Sequence, residues 1–507
     1  MKKISFFVLM ISLITGLVFA NGSTEAAAGS APKKVTIVMR NVNNGGAESV
    51  DNDKVYEYIK EQSGIDFEVY NMPNSNELGK KINLSLAGEE AIDSVQTSYK
   101  EASMINLQAR GALLPLKDLL QEHAPTLYSA FTEEQWKAVT DSDGEIWAIP
   151  RQQGSMGYAI AIRKDWREKI GMDKPETIEE LEAYLMAVKN MDLDGNGKND
   201  TIPLLSVKGF NEMEAALGYS ILGVPVLTGR TAFANYEDEK GNIVPIALHP
   251  RYKDYLETLS RWYANGLLHP DQYLLQKAQA QDLIIGNRVA AHAGWYSNFI
   301  RPWDKLLAND PNAVYEYVAI KTYDGGDYKV TRGFEANPGM SLVSYSENAV
   351  ETLKLYEWMV ENPTNYITTR YGLEGVHWEW ADKENMVITD LRAGEGIYDS
   401  AYQLIYYDKF FPNVANEGDN FVKGAYREGM NWMEEVGFVW NPDYYVIYDT
   451  KGTEFENTKA DADALLDEVR NRIIIGEQSI DEWDNFLATY KELYADEFMK
   501  YAKTLYK

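Results

Sequence analysis

Over the first hundred residues, the spacing of the apolar positions alternates in a regular order between that of a strand and that of a helix. Apolar, β-branched runs typical of strands alternate with stretches in which apolar residues recur at helical spacing. The predicted elements are a strand over 34–40, a helix carrying Val55, Tyr58 and Ile59, a strand over 65–70, a helix over 78–86 and a strand over 91–97. This order predicts that the chain opens as a parallel α/β lobe.

Two capping boxes mark helix starts further along. Thr177 and Ser479 are each followed three residues later by a glutamate, Glu180 and Glu482. In this spacing the hydroxyl accepts from a backbone N–H and the glutamate reaches back. The apolar stripes that follow are Leu181, Tyr184, Leu185 and Val188 after the first box, and Trp483, Phe486, Leu487 and Tyr490 after the second. The other predicted elements are a short strand over 145–149 and amphipathic helices over 252–263 and 347–360.

The N-terminus has the pattern of a secretory signal peptide. Two lysines precede a nearly continuous apolar stretch over 4–18, and small residues occupy the −3 and −1 positions of a cleavage site after Ala20. A transmembrane anchor is the alternative, which the short run and the small, neutral residues after it disfavour. We predict a signal peptide over 1–20 and an Ala/Gly/Ser-rich flexible leader over 21–32.

The residue after the predicted cleavage site bears on where the mature protein resides. Asn21, and not a cysteine, follows Ala20, so we expect no lipid anchor there. An exported, unanchored protein stays near its cell only if an outer barrier retains it. We therefore predict a periplasmic protein, with full secretion as the alternative.

Composition narrows the class of protein. A chain of 507 residues is too long for one compact core and fits two or three domains. Acidic residues outnumber basic ones by 77 to 49, for a formal net charge of −28, so nucleic acid is an improbable partner. The absence of cysteine excludes disulfides, thiolate metal sites and cysteine nucleophiles.

The sharpest local motif is the loop 192–200, DLDGNGKND. Oxygen side chains fall at its positions 1, 3, 5 and 9 and a glycine at position 6, which is most of an EF-hand-like loop. The predicted ligands of a structural Ca²⁺ are Asp192, Asp194, Asn196, Asp200 and the backbone carbonyl of Lys198. Pro203 replaces the glutamate expected at position 12, so Thr201 or a remote carboxylate has to complete the site. The alternative is a plain Asn/Gly/Asp-rich turn.

No catalytic motif stands out. The five histidines show no metal-binding spacing, and no HExxH, GxGxxG or GxxxxGK[ST] pattern occurs. A glycosidase-like carboxylate pair is compatible with the sequence, but 77 acidic residues make chance pairs common.

Several segments place aromatic residues beside glycine and polar residues, outside clean helical stripes. The clearest is Trp295-Tyr296, which follows Gly294, and Tyr371 and Trp378 form part of another. Sugar rings stack on Trp and Tyr, and their hydroxyls suit groups such as those of Arg151 and Gln152, where the chain should turn after a strand. For most single aromatics a core position is the better interpretation, and Arg151 is equally compatible with a surface ion pair; for Trp295 we favour the site.

An ordered set of segments carries a family resemblance. The segments are GALLPL at 111–116, WAIP at 147–150, AIRKDW at 161–166, PET at 175–177, the loop 192–200, GNR at 286–288, GW at 294–295, YGLEG at 371–375 and GEQSIDEW at 476–483. Together they resemble the extracellular solute-binding proteins of ABC importers, in the maltose-binding-like superfamily. The branch of large oligosaccharide binders with a calcium loop, including those for alginate and other uronate-containing sugars, is the most similar.

The resemblance implies an α/β, two-lobed periplasmic-binding-protein fold with the ligand cleft between the lobes. In that branch a glutamate usually follows position 9 of the calcium loop, where this chain has Thr201. By the same likeness Trp295 and Trp378 look like sugar-stacking residues, with Tyr371 and Arg151 near the cleft. The predicted divisions are 33–152 plus 334–370 for lobe 1, 153–333 plus 371–460 for lobe 2, and 461–507 for C-terminal helices.

We therefore predict a monomeric, non-enzymatic periplasmic protein that captures an oligosaccharide and delivers it to the permease subunits of an ABC transporter. Two alternatives stay open on sequence. A secreted carbohydrate-active hydrolase or lyase would release product, and a binder of peptides or another solute could use the same scaffold, since fold does not fix ligand.

Overall fold

The computed structural model describes residues 34–40, 51–72, 75–97, 103–141, 143–150, 157–207, 209–226, 235–332, 339–392, 402–415, 421–441 and 458–505. The first part contains β1 (Val35–Met39), α1 (Asn52–Ser63), β2 (Phe67–Asn71), α2 (Ser75–Ala87), β3 (Ser94–Gln96), α3 (Met104–Ala109), α4 (Lys117–His123), α5 (Pro125–Ala130) and α6 (Glu133–Lys137). The second contains β4 (Tyr158–Arg163), α7 (Lys164–Lys169), α8 (Ile178–Lys189), β5 (Ile202–Leu205), α9 (Gly209–Leu222), β6 (Asn235–Glu237), β7 (Ile243–Pro245), α10 (Tyr252–Ala264), α11 (Lys277–Ile285), β8 (Val289–Trp295), α12 (Ile300–Leu306), β9 (Tyr315–Val318) and β10 (Val330–Arg332). The third contains β11 (Met340–Leu342), α13 (Ala349–Glu361), α14 (Pro363–Tyr371), β12 (Trp378–Asp382), β13 (Val387–Asp390), β14 (Asn413–Val414), α15 (Phe421–Val436), β15 (Phe438–Trp440), α16 (Lys459–Ile474), α17 (Trp483–Tyr490) and α18 (Asp496–Leu505).

The first lobe is built on a four-stranded sheet of order β11–β3–β1–β2. Strand β1 pairs in parallel with both β2 and β3, which confirms the predicted parallel α/β opening. Strand β11 comes from much later in the chain and pairs antiparallel with β3. Asp93, which is 4% exposed, connects the early strands of this sheet to the segment that follows β11. It accepts hydrogen bonds from the backbone N–H of Thr36 at 2.8 Å and from the hydroxyl of Ser346 at 2.7 Å.

The chain leaves and re-enters the first lobe along two neighbouring segments. The backbone N–H of Ile149 donates to the carbonyl of Met340 at 2.8 Å, and the N–H of Met340 donates back at 3.1 Å. The predicted strand over 145–149 is accordingly not a continuous strand. It consists of isolated bridges, one from Ile146 to Thr140 and one from Ile149 to Met340, because each end finds a different partner.

The second lobe is built on a sheet of order β5–β8–β4–β9. Strand β5 is parallel to β8, and β4 is antiparallel to both β8 and β9. Helices α8, α9 and α10 share their buried core with the C-terminal helices α16–α18. Arg470 of α16, 1% exposed, forms an ion pair of 2.9 Å with the fully buried Glu214 of α9, which fixes the C-terminal helices to this lobe.

A third, small unit surrounds the sheet β12–β13–β14 and has its own core of Tyr366, Ile367, Tyr371, Trp378, Ile388 and Val414. Leu404 and Ile405, further along, are buried in the first-lobe core. The prediction that 371–460 belongs to the second lobe therefore differs from the packing here. Helix α15 does lie against the second lobe, where Ala425 and Met433 are buried.

The predicted capping boxes are only half formed. The Thr177 hydroxyl accepts from the N–H of Glu180 at 3.2 Å, but the Glu180 carboxylate accepts from the N–H of Glu176 and not of Thr177. The Ser479 hydroxyl accepts from Asp481, because a single 3₁₀ turn over Ile480–Glu482 precedes α17. The buried stripes that follow both starts are confirmed. Within the part of the chain that the structure describes, every helix is too short or too polar to span a bilayer.

Candidate functional site

The carboxyl ends of β5 and β8 lie at one edge of the second-lobe sheet, since these two strands are parallel. Strand β8 ends at Trp295, and the antiparallel β4 begins directly opposite it with Tyr158. Helix α9 starts at Gly209, a few residues after the end of β5. In α/β sheets, ligands bind beyond the carboxyl ends of the strands, so this edge is the first place to look for a site.

Trp295 has a partly exposed side chain at this edge, and both its ring and its backbone make contacts that fix it. Its ring makes an edge-on contact with Tyr158, with centroids 5.4 Å apart at 81°. The backbone N–H of Trp295 donates to Oε2 of Glu212 at 3.4 Å, and the side-chain amide of Asn298 donates to the same oxygen at 2.7 Å. A partly exposed indole in a fixed orientation can stack on the apolar face of a sugar ring.

Tyr296, in contrast, is only 3% exposed and points into the core of the second lobe. Its ring contacts Tyr426 of α15, with centroids 6.1 Å apart. Burial raises the pKa of Tyr296, while the positive charges of Arg427 and Arg370 act in the opposite direction. Sequence reasoning missed both arginines, because nothing local to them indicates that they lie within electrostatic reach of Tyr296.

Arg370 lies near the end of α14, beside the small third unit. Its guanidinium donates to Oε1 of Gln403 at 2.8 Å and lies 4.5 Å from the ring centroid of Phe411. The next residue, Tyr371, is 9% exposed and belongs to the core of this unit.

Trp378 does not present a face for stacking. It is fully buried in the same core, and its indole N–H donates to the carbonyl of Gly372 at 2.7 Å. The prediction that Trp378 stacks on a sugar is therefore corrected. The aromatic residues near it in the sequence pack in the core of the third unit. The ring of Trp380 contacts that of Trp378 edge-on, with centroids 5.2 Å apart.

The first lobe offers a polar edge at the corresponding end of its sheet. Arg40 directly follows β1, and its backbone N–H donates to Oε1 of Gln96, the last residue of the parallel strand β3, at 2.7 Å. Burial lowers the pKa of Arg40, and the nearby Tyr406 acts in the opposite direction. The sequence did contain a signal for Arg40, since a polar residue directly after a parallel strand is well placed for a ligand.

Arg151 and Gln152 lie outside the described residues, so their place near the cleft stays a prediction.

The loop 192–200 folds as a tight turn stabilised by its own side chains. The N–H of Gly197 donates to Oδ2 of Asp192 at 2.9 Å, and Gly197 has a φ of 80°, which favours glycine. The Asn196 amide nitrogen donates to carboxylate oxygens of Asp194 at 2.8 Å and of Asp200 at 3.0 Å. Burial raises the pKa of Asp194, and the neighbouring carboxylates of Asp192 and Asp200 raise it further.

The donor set of this loop fits Ca²⁺, a hard cation that takes oxygen ligands. Oδ1 of Asp192 is buried without a hydrogen-bond partner, and the Asn196 amide nitrogen occupies the place between two carboxylates where positive charge is favoured. Among the described residues, however, no three His, Cys, Asp or Glu side chains are already arranged around a metal position. The Thr201 hydroxyl, directly after Asp200, donates to the carbonyl of Met191 at 3.1 Å. Arg288 lies 3.4 Å from a carboxylate oxygen of Asp200.

Three residues near the Trp295 edge have the types of a catalytic triad, namely Ser206, His292 and Glu212, and each is at least 96% buried. Neither ring nitrogen of His292 nor the hydroxyl of Ser206 has a hydrogen-bond partner. Burial lowers the pKa of His292 to about 3. A nucleophile–base hydrogen bond, which such chemistry needs, is therefore not formed by this set.

The two α/β sheets, linked by paired crossing segments and carrying polar and aromatic groups at their carboxyl edges, define a two-lobed binding protein. The family model described as "Bacterial extracellular solute-binding protein" matches residues 54–372. Because this match covers more than half of the chain, the protein belongs to that family.

Relatives of known name span most of the chain. One is lipoprotein LipO of Bacillus subtilis, 23% identical over 466 residues, which cover 89% of this chain and 88% of LipO. Another is the polygalacturonan/rhamnogalacturonan-binding protein YtcQ of the same organism, 22% identical over 398 residues, with 76% of this chain and 74% of YtcQ covered.

Solved structures share the fold. A solute-binding protein of Bifidobacterium longum infantis, described as HMO-binding, matches with a TM-score of 0.71 and 17% identity, over 94% of this chain and 99% of its own. FusA of S. pneumoniae, an EF-hand mutant bound to fructo-nystose, matches with a TM-score of 0.69 and 16% identity, over 94% and 99%. The alginate-binding protein AlgQ2 without calcium ion matches with a TM-score of 0.67 and 17% identity, over 94% and 98%. These likenesses confirm the predicted two-lobed α/β fold.

Proposed function

We propose that this protein captures an oligosaccharide between its two lobes and delivers it to the permease subunits of an ABC transporter. The observation that carries the proposal is Trp295. It is a partly exposed indole at the carboxyl edge of the second sheet, oriented by Tyr158 and by the backbone contact to Glu212. Such a ring supplies the apolar contact, and Arg40, whose backbone is held by the buried Gln96, supplies a polar group at the matching edge of the first lobe.

Membership of an extracellular solute-binding family and the names of the relatives support a sugar as the solute. FusA is named for fructooligosaccharides, YtcQ for polygalacturonan and rhamnogalacturonan, and AlgQ2 for alginate. The protein acts as a carrier and not as an enzyme, so the sugar leaves the binding site unchanged. It acts as a monomer.

The mature protein resides in the periplasm after cleavage behind Ala20. Family membership supports export. The relative LipO is named a lipoprotein. In this chain Asn21 stands at the predicted mature N-terminus, which supports a protein without a lipid anchor there. Mass spectrometry of the protein purified from its own cells checks both points. A mature chain that begins at Asn21 agrees with the proposal, and a retained leader contradicts it.

The loop 192–200 holds a structural Ca²⁺ through the carboxylates of Asp192, Asp194 and Asp200, the side-chain oxygen of Asn196 and the carbonyl of Lys198. The bound ion would fasten the connection between α8 and β5, which is a structural role. Titration with Ca²⁺ after chelation is expected to raise the melting temperature. An Asp194→Asn variant is expected to respond much less, and an equal response of both proteins would contradict the assignment.

Binding measured by calorimetry tests the main proposal. The panel contains kestose, trigalacturonic acid, an alginate trisaccharide and a mixed tripeptide. Saturable binding of one sugar, recovered intact, is expected. Trp295→Ala should weaken that binding at least tenfold, because it removes the stacking contact that a bound sugar ring would cover. Tyr345→Ala is the control, since Tyr345 is 36% exposed and follows β11 at the end of the first-lobe sheet where β3 begins, away from the carboxyl edge. Binding of the peptide alone, or breakdown of the sugar, would overturn the proposal.

A further inference from the structure

Glu212 is a buried carboxylate that no local sequence pattern singles out. It lies in the first turn of α9, a helix of 14 residues, and is 4% exposed. A negative side chain in the first turn is stabilised by the free N–H groups and the dipole of the helix. The cost of burying this group is therefore reduced at this position.

The carboxylate contacts the turn that follows β8 at two points. Oε2 of Glu212 accepts from the side-chain amide of Asn298 at 2.7 Å and from the backbone N–H of Trp295 at 3.4 Å. Asn298 is 7% exposed, and its own backbone N–H donates to the carbonyl of Trp295 at 2.9 Å. The carboxylate thus connects the two ends of the turn 295–298 to the start of α9.

The chain makes room for this contact at Gly294. A Cβ atom on this residue would lie 2.7 Å from Oε2 of Glu212, closer than real Cβ atoms come, and 3.0 Å from Cε1 of His292, which is a tight contact. Any larger residue at 294 would displace the carboxylate or the imidazole. Gly294 therefore leaves the space that the Glu212 carboxylate needs to reach this turn.

We propose that Glu212 is a positioning residue for ligand binding, which acts by fixing the turn 295–298 and with it the orientation of the Trp295 ring. The inference rests on the proposed function in one respect only, that Trp295 contacts the ligand. Tyr158 supports the ring from the side, and Glu212 holds its backbone. Without the carboxylate, the N–H groups of Trp295 and Asn298 lose a shared acceptor.

Fluorine NMR of the full-length mature protein, labelled with 5-fluorotryptophan, tests this without any ligand. The Trp295 resonance is identified by its loss in Trp295→Phe. Glu212→Gln is expected to shift or broaden that resonance, because the neutral amide oxygen is a weaker acceptor than the carboxylate oxygen that both N–H groups share. Asn298→Ala, which removes the same contact from the other side, should have the same effect and serves if Glu212→Gln folds poorly.

Two further variants separate positioning from a general loss of structure. Glu182→Gln removes a carboxylate of the same lobe that pairs with Arg261 at 2.7 Å, and it should leave the Trp295 resonance unchanged. Glu212→Gln combined with Asn298→Asp reverses donor and acceptor and should restore the resonance in part. An unchanged Trp295 resonance in both Glu212→Gln and Asn298→Ala would overturn the proposal.

Calorimetry with kestose, trigalacturonic acid and the alginate trisaccharide completes the test. For whichever sugar the wild type binds, Glu212→Gln should raise Kd about tenfold and the double variant should recover much of the loss. A shifted resonance with an unchanged Kd would contradict a role in binding. If the wild type binds no sugar, the proposed function fails, and the fluorine spectra alone decide whether Glu212 positions Trp295.

Discussion

Glu212 and Glu214 are two residues apart on one helix, yet they belong to two different regions of the second lobe. Glu214 points into the core, where Arg470 from the C-terminal helices and the hydroxyl of Tyr252 meet it at 2.9 Å and 3.0 Å. Glu212 points to the edge of the sheet and holds the turn after Trp295. Similar side chains thus serve packing on one side of α9 and the candidate site on the other.

The difference between the two carboxylates lies in what they connect. Glu214 joins segments that are 256 residues apart in sequence. Its side chain is fully buried, and its partner Arg470 is only 1% exposed. The edge carboxylate fixes a short turn beside a partly exposed ring. Changes on the core side should therefore lower stability and leave affinity intact, whereas changes on the edge side should lower affinity and cost less stability. The following predictions test that separation.

The largest effect is expected from Arg470→Met. Removal of one partner of a buried ion pair leaves the other charge uncompensated, which costs about 3–5 kcal/mol of the unfolding free energy. Denaturant unfolding measures this loss, and the protein that remains folded should bind sugar with unchanged affinity. Arg472→Met on the same helix is the control, because its pair with Glu468 at 3.4 Å is exposed and worth little. An equal loss in both variants would break the comparison.

An intermediate loss of stability is expected at low pH, through protonation of His292, which lies on β8 beside Glu212 at the edge. Its pKa in the folded protein is about 3, lowered by burial from an ordinary value of 6.5. Acidification therefore protonates the unfolded chain first, so stability falls as the pH drops below about 6.5 and continues to fall towards the folded pKa. At pH 5 this amounts to about 2 kcal/mol relative to pH 7.

His292→Leu should remove that part of the pH dependence. Unfolding at pH 7 and pH 5 measures the difference between the two proteins. His249, whose pKa burial lowers to about 4, should still contribute to the slope of the variant. An identical slope for wild type and variant would show that His292 is not the neutral, buried group that the structure describes.

The smallest effect on stability is expected from Gly294→Ala at the edge. The added methyl group crowds Glu212 and His292, which costs about 1–2 kcal/mol. Its effect on sugar affinity should exceed that of Arg470→Met, although its effect on stability is smaller. Gly88→Ala is the matched control, since a Cβ there would meet its nearest atom at an ordinary 3.4 Å. Unchanged affinity in Gly294→Ala would contradict the role given to this edge.

Local patterns in the sequence predicted local structure well. The strand β1, the helices after Thr177 and Ser479 and the parallel opening of the first lobe all follow from periodicity and from residues a few positions apart. Trp295 was singled out because it lies between a glycine and a tyrosine just after a small-residue stretch, outside any helical stripe, and its place in the site stays a prediction. The ordered family segments extended these local signals to the fold.

Contacts between distant segments were decided by the tertiary structure alone. Trp378 occurs in a segment as aromatic as the one around Trp295, but the strands β12 and β13 enclose it and leave it no exposed face. Ile149 finds its bridge partner at Met340, so the predicted strand over 145–149 did not form as one element. Glu212 and Glu214 differ by less than one helical turn, and only the packing of β8 and α16 against α9 gives each its partner. The physical reason is that a side chain's own neighbourhood fixes its backbone conformation, whereas burial and hydrogen-bond partners depend on which remote segments the fold brings against it.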